Sequence, residues 1–589
     1  MKARRLAFVT AAFAAVTQGQ ITSFESSSET WLQSYQMAMG MVGGAAVADV
    51  DHDGDHDVFL ASGLDQPSQL LLNRGDGTFD VKNIPDRQPH NDRAGLWLDY
   101  DGDSDLDLLV LTDNHRQPSP TEATNLRLYR NDLDTAVRLT EVTGEAGLAK
   151  MLQDVDALPA GDLSHASGLV AADFNSDGAI DFYVTFWEGR NYLFLNNANG
   201  TFRDGSAASG IQSHTTYWQP GVHDFDGDGD MDIVQPVDFT HNKFFINNGD
   251  GTFVDRAPQL GLDNAWNDMG IAIGDPDNDQ DFDIFITNIH DAFTPLSDLA
   301  GRHNVYYRNE STAAGLSFVE ASEQSRLDRG DWGWGCTFVD VDHDGWQDVA
   351  QTNGFNVNSE RGFATDRTRL FLNLGGGTLF SDVAPETGLD DDRIGACFVA
   401  LDADSDGDQD LLQTCRFQPA SLMLNRLEQT GNQYGWIRIR PRMVTAGASG
   451  HANHFAVGAV VRVTTPDASI GVQSRLISAG TSLLGQEAAE AHFGLGAAAI
   501  PGSTVAAIVE WPDGRVTSYD ALPTRMRVTV VDATRSDADI DGDGALTSAD
   551  VRAAERTAFD ITGDLIYDRA DIRRVDRLVR LSELRRNMR

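Results

Sequence analysis

DVDHDGDHD, residues 49–57, decides the fold, because its frame D-x-D-x-D-x-x-x-D runs through the chain as a repeat. It reads DYDGDSDLD at 99–107, DFNSDGAID at 173–181, DFDGDGDMD at 224–232, DPDNDQDFD at 275–283, DVDHDGWQD at 340–348 and DADSDGDQD at 402–410. Carboxylates at alternate positions of one loop repel one another unless a cation sits among them. Calcium accepts roughly six to eight oxygens in loose geometry, so it suits such a loop better than magnesium, which demands a strict octahedron. The expected ligands are Asp49, Asp51, Asp53 and Asp57, then Asp99, Asp101, Asp103 and Asp107. They continue as Asp173, Asn175, Asp177 and Asp181; Asp224, Asp226, Asp228 and Asp232; and Asp275, Asp277, Asp279 and Asp283. Asp340, Asp342, Asp344 and Asp348, with Asp402, Asp404, Asp406 and Asp410, complete seven calcium sites.

Outward from each loop the pattern is also repeated. A short apolar strand precedes it (GAAVA 44–48, GIAIG 270–274, GCTFV 335–339) and a second follows (VFLAS 58–62, IFITN 284–288). A third ends in Asn (LLLN 70–73, YLFLNN 192–197, FFINN 244–248, LFLN 370–373). Then comes GDGTF at 75–79 or a variant at 199–202, 249–253 and 376–380, a hairpin signal, and a fourth strand. Seven units of four antiparallel strands predict a mainly β chain built as a seven-bladed β-propeller. The seventh unit has SLMLN at 421–425 but no fourth strand of its own. ITSFESSSE at 21–29 has that character and is expected to complete the seventh blade and close the ring.

These repeats resemble the FG-GAP/VCBS family, the calcium-binding propeller repeats also found in integrin alpha chains, and the resemblance covers residues 21–430. Ser104 and Gln280 replace the glycine at the sixth loop position, implying weaker binding in loops two and five, whereas Asn175 keeps an oxygen donor.

The chain has 589 residues and a net charge of −44, from 45 Lys and Arg against 89 Asp and Glu. The loops hold 32 of the Asp, so much of the excess acid lies in the expected metal sites. So acidic a surface argues against nucleic acid or an anionic membrane as partner. MKARR followed by LAFVTAAFAAV at 6–16 reads as a secretory signal with cleavage within 14–20. No later stretch has the length and character of a membrane helix, so the protein is expected to be secreted or at the cell surface, where calcium is plentiful. Cys397 and Cys415 lie five residues outside the ends of the last loop, so antiparallel pairing would set them opposite each other. A cross-strand disulfide there is open, subject to strict geometry, and Cys336 is expected to be a buried thiol.

Strand alternation puts the calcium loops at one end of the ring. The other end receives the insertions at 113–125, 289–304 and 353–367, together with Tyr217, Trp187, Trp218, Trp266, Trp332 and Trp334; Met37, Met39 and Met41 occupy the corresponding segment of the first unit. A flat apolar face with one polar donor suits sugar stacking or protein anchoring, so this end is the expected binding face for an extracellular glycan or protein. Packing between blades or filling the channel is the other reading of the same rings. Arg74-Gly75-Asp76 occupies the place of the NGDG turn of blade four and reads as a hairpin. Asn199-Gly200-Thr201 and Asn309-Glu310-Ser311 are glycosylation sequons.

Past the last loop, residues 431–534 change character: WIRIRP, AVGAVVRVTT, HFGLG and VAAIVEWPDGRVTSY predict a small β-sandwich or barrel. Gly458, HFGLG at 492–496, and Trp511-Pro512 with Gly514 resemble the ASPIC/UnbV domain, which follows such propellers in the cartilage acidic protein family. His451 and His454 are expected in a solvent loop. In the tail, 535–589, DIDGDGALTSAD places Asp539, Asp541, Asp543, Thr547 and Asp550 as in an EF-hand loop. DITGDLIYDRAD repeats it with Asp560, Asp564, Asp568 and Asp571. The pair resembles a dockerin module, which implies one or two further calcium ions and a cohesin-like partner; a plain calcium-stabilised helical hairpin is the alternative. The tail ends in an Arg-rich helix.

HExxH, nucleophile-elbow, phosphate-loop and CxxC motifs do not occur. The leading expectation is a calcium-dependent binding or adhesion protein without a catalytic site. The alternative is a polysaccharide lyase or glycosidase tethered by its tail, whose base would come from His115, His165, His214, His290 or His303.

Overall fold

A computed structural model describes residues 22–27, 43–61, 67–84, 91–112, 126–133, 136–150, 165–289, 303–355, 363–416, 418–444, 453–532 and 566–567. The expected signal at 1–20, Met37, Met39 and Met41, most of the three insertions, His115, His290, His451 and all the tail ligands lie outside these residues. Among the described residues no helix is long and apolar enough to cross a membrane.

The chain is mainly β. The first sheet runs Ala45–Ala48, Asp57–Leu60, Gln69–Asn73 and Phe79–Asn83 in simple antiparallel order. The pattern repeats through the sheet that ends with Arg369–Asn373 and Phe380–Asp382, and the third sheet gains a fifth strand, His214–Thr216. In the last, Gly395–Leu401, Asp410–Cys415 and Ser421–Asn425 are joined by Phe24–Ser26 from the start of the chain. Phe24 pairs with Asn425 and Ser26 with Met423. The first strands of successive sheets lie side by side, from 45–48 through 92–98, 165–172, 221–223, 271–274 and 333–339 to 395–401, which returns against 45–48. Apolar clusters fill the spaces between neighbouring sheets; one joins Val47, Leu60 and Leu71 to Val399, Leu412 and Leu424.

Two further sheets follow. One orders Ala491–Gly494, Trp436–Arg442, Arg527–Val531 and Ile566–Tyr567, with the middle pair parallel; the other orders Val472–Leu476, Val460–Thr464, Thr504–Glu510 and Val516–Pro523. Ile437, Val461, Phe493, Val509, Trp511 and Tyr519 form their shared core, as alternating apolar positions require.

The segment 479–487 of this second unit lies among the first strands of the sheets. Ala171 N–H donates to Ala479 O, Ile271 N–H to Ser482 O and Val47 N–H to Gln486 O, at 2.9, 2.8 and 2.9 Å. The Gln486 side chain pairs with both backbone groups of Trp97, and Glu487 accepts from Ala400 N–H and Thr337 Oγ1. Phe398 N–H donates to Ser482 Oγ at 3.1 Å. A Cβ added to Gly44 would lie 1.8 Å from Leu484 O, so the glycine that opens this strand makes room for the inserted backbone.

Two expectations need correction. Gly395 pairs with Cys415, and a register shift between Gly395 and Phe398 moves Cys397 out of line, so Cys336, Cys397 and Cys415 are all free and buried. His454 is buried, with Nδ1 3.1 Å from Met443 O, because its loop packs against the sheets and not into solvent. Short helical turns such as Ala384–Thr387 follow the fourth strands.

Candidate metal centres and binding face

Each aspartate loop joins the first and second strands of its sheet and repeats one set of bonds. The position-one carboxylate accepts N–H groups from the far side of the loop: Gly54 on Asp49, Ser104 on Asp99, Gly178 on Asp173, Gly229 on Asp224, Gln280 on Asp275, Gly345 on Asp340 and Gly407 on Asp402. The position-five carboxylate accepts the N–H two residues on, from Asp55 on Asp53 to Asp408 on Asp406, both 2.9 Å. The sixth position has positive φ throughout, so Ser104 and Gln280, at 74° and 79°, hold a left-handed backbone that glycine holds without strain elsewhere.

Carboxylate oxygens therefore converge. One from each of Asp49, Asp51 and Asp53 lies within 4.8 Å of the others; the same holds for Asp99, Asp101 and Asp107, for Asp224, Asp226 and Asp232, for Asp275, Asp277 and Asp279, and for Asp340, Asp342 and Asp344. Burial pushes Asp57 up to about 9, with the Asp51 charge adding to it. Burial likewise raises Asp232 to about 8 and Asp342 to about 7, the latter beside Asp340. Buried oxygens of Asp101, Asp275, Asp340 and Asp404 have no hydrogen-bond donor among the described residues. A buried oxygen without a donor is costly, and an all-oxygen set of converging carboxylates fits a hard divalent cation.

The ninth position does a second job. Asp57, Asp107, Asp181, Asp232, Asp283, Asp348 and Asp410 are all buried. Asp57 Oδ2 accepts Val50 N–H across its own loop, and Oδ1 accepts Asn73 N–H from the third strand, at 2.9 and 2.8 Å. Loop five carries Pro276 where the loop donor should be, and the Tyr306 hydroxyl donates to Asp283 Oδ2 in its place.

The third-strand Asn was read only as a strand ending, yet its side chain staples neighbouring sheets. Asn73 Nδ2 donates to His56 O in its own loop and to Ala403 O in the last one, at 3.1 and 3.0 Å. Asn131 reaches Val50 O, Asn196 Tyr100 O, Asn247 Phe174 O, Asn373 Pro276 O and Asn425 Val341 O, each in the loop one sheet back. Its recurrence at the end of the third strand of every repeated sheet was the available signal.

The second unit covers this loop end. Arg440 Nη1 lies 2.8 Å from Asp49 Oδ2, and Arg438 pairs with Asp402 and, at 3.0 Å, with Glu490. Gly494 N–H donates to Asp340 Oδ2 at 3.1 Å, and Asn278 Nδ2 reaches Ile470 O at 3.4 Å. Burial and then the charges of His56 and Arg438 act on Glu490, and the cations win, holding it well below the usual carboxylate range.

At the other end the tryptophans do come together. Ring centroids lie 6.5 Å apart for Trp187 and Trp218, 5.7 Å for Trp218 and Trp334, and 6.4 Å for Trp332 and Trp334. Trp218 and Trp334 are buried in a cluster with Leu483 and Leu484 from the inserted segment, so these two are core side chains and not open surface. Trp187, Trp266 and Trp332 stay half-buried, and Phe239 beside Trp266 is 62% exposed. Trp187 Nε1–H donates to Asp238 at 3.1 Å, and Trp332 stacks on Phe355 at 4.4 Å. Of the histidines considered as bases, His165 is buried beside Trp187, His214 is exposed, and His303 sits against Trp266 with Nδ1 2.7 Å from Asn304 O.

Two family descriptions match this sequence: FG-GAP-like repeat over residues 49–110 and 173–235, and ASPIC and UnbV over 449–537. Cartilage acidic protein 1 of Mus musculus is 25% identical over 504 residues, covering 82% of this chain and 72% of that protein. Its Homo sapiens counterpart is 26% identical over 516 residues, covering 82% and 70%. Among solved structures, BBS1N in complex with ARL6DN aligns at 11% identity and a TM-score of 0.36, over 66% of this chain and 94% of that one. The chain thus carries FG-GAP-like repeats and an ASPIC/UnbV domain and is homologous to cartilage acidic protein 1.

Proposed function

We propose that this is a secreted, calcium-stabilised binding or adhesion protein. Its sheets form the seven blades of a closed β-propeller, its ASPIC/UnbV domain plugs the axis from the calcium-loop end, and the opposite end binds an extracellular glycan or protein. The observation that carries this reading is the division of labour between the ends. The loop end is occupied by Arg438, Arg440 and Gly494 of the second unit, whereas Trp187, Trp266, Trp332 and Phe239 keep accessible surface at the other. Half-exposed aromatics over a rigid floor are what stacking and anchoring contacts use. Closure is supported by the return of strand 395–401 onto 45–48 and by the bond from Asn73 to Ala403. Calcium is supported by the converging carboxylates and by the buried oxygens that lack donors.

A glycan and protein-ligand screen with the intact chain tests the binding face. Phe239→Ala combined with Trp332→Ala is expected to lower affinity for any hit by about tenfold or more while circular dichroism shows the β fold retained. Unchanged affinity would remove the face from consideration. The same polysaccharides, assayed for new reducing ends, separate retention from cleavage.

A further inference from the structure

A cleft of 630 Å³ opens between the fourth aspartate loop and the ASPIC/UnbV domain. Asp226, Asp228 and Asp281 line one side, and Arg462, Glu510 and Trp511 the other. Loop four is the most open of the seven: residues 226–229 are all exposed, whereas Asp340 and Asp342 of loop six are buried beneath the second unit. Two aromatic rings, Phe225 and Phe282, flank His223 with centroids 5.0 and 4.4 Å from its own. His223 lines the cleft, is 8% exposed, and its Nδ1 has no hydrogen-bond partner among the described residues.

We propose that this cleft is a second binding site and takes an arginine- or lysine-bearing segment of a partner protein. Five carboxylates line it against one guanidinium, and a divalent cation held in loop four would still leave an excess of two negative charges. That excess repels acidic glycans and nucleic acid and leaves neutral sugar hydroxyls nothing to neutralise. A guanidinium suits these groups: Asp281 accepts its N–H groups, Glu510 accepts through the oxygen that its ion pair with Arg462 leaves over, and His223 Nδ1 offers an acceptor in the Nε2–H tautomer. The site lies at the loop end, apart from the tryptophan face, so it stands or falls independently of ligand binding there.

Fluorescence anisotropy of a labelled Gly-Arg repeat peptide against the full chain, in calcium buffer at about 0.15 M salt, tests the site. The arginine peptide is expected to bind and its glutamate counterpart not to. Asp281→Asn combined with Glu510→Gln is expected to weaken binding about tenfold. Asp76→Asn combined with Asp80→Asn, two exposed carboxylates on the first sheet's last turn, should change it by less than about twofold. Trp332→Ala should leave it unchanged. Equal losses from both carboxylate pairs would mean diffuse attraction to an acidic chain and would overturn the site, as would no binding of the arginine peptide.

Discussion

Asn73→Ala cuts the staple between the first and last sheets. Asn73 is 4% exposed, its amide donates to His56 O and Ala403 O, and its side-chain oxygen accepts Gly75 N–H at 3.0 Å. Truncation leaves His56 O and one turn N–H without partners and takes from Ala403 O one of two donors, the other being Gly77 N–H at 3.0 Å. At roughly 1 to 1.5 kcal/mol for the buried orphan, and about 0.5 kcal/mol each for the half-exposed turn and the lost second contact, the loss is about 2 kcal/mol. Asn309 supplies an internal comparison, because among the described residues its amide reaches only Phe282 O, at 3.3 Å. Its oxygen accepts Ser311 N–H at 3.0 Å, as that of Asn73 accepts Gly75 N–H, so Asn309→Ala should cost about 0.5 kcal/mol less than Asn73→Ala, the share of the second carbonyl contact. Asn197 is exposed and bonds within its own turn to Thr201, so Asn197→Ala should cost under about 0.5 kcal/mol. Urea midpoints in calcium, followed by tryptophan fluorescence, give the three values. The order Asn73, Asn309, Asn197 is required; an Asn73→Ala shift no larger than that of Asn197→Ala would refute the stapling argument.

Gly44→Ala should loosen the inserted segment, because the new methyl meets Leu484 O, and hydrogen exchange over 479–487 should speed up; Gly144→Ala, with nothing within 4 Å, should be silent. Chelation should lower the melting temperature, since ions at a hundred times their dissociation constant contribute about 2.7 kcal/mol per site; an unchanged melt would remove the structural role of calcium. In chelator, Asp57, Asp232 and Asp342 hold protons up to about 9, 8 and 7, against an ordinary 3.8 in the unfolded chain. The folded state then binds more protons, so stability falls as pH rises towards 9 and the chelated protein should melt higher at about pH 5.5 than at about pH 8. Calcium binds the ionised carboxylates and should flatten or reverse that trend. Burial pushes the Cys397 and Cys415 thiols up to about 12, so all three cysteines should react with a thiol reagent only after denaturation.

Much of the architecture is legible in the chain because it is local and repeated. The aspartate spacing, the alternating strands around it and the turn residues each act over a few positions, and repetition raises every signal above chance. The pairing of Phe24–Ser26 with Ser421–Asn425 followed from counting strands. The proposed binding face was legible only in part: five tryptophans mapped to one end, but which of them are buried depends on Leu483 and Leu484, far along the chain. The cysteine geometry failed for a smaller reason, a register shift that sequence spacing does not reveal.

By itself the sequence determined the repeating sheet, the position of every carboxylate ladder and the change of character after the last loop, since backbone periodicity and loop chemistry act between near neighbours. Only the tertiary structure decided that segment 479–487 enters among the first strands, that arginines of the second unit meet position-one aspartates, and that the third-strand Asn residues other than Asn309 bridge sheets. Those contacts join residues tens to hundreds of positions apart. They depend on shape and on unpaired backbone groups that exist only once the sheets have assembled.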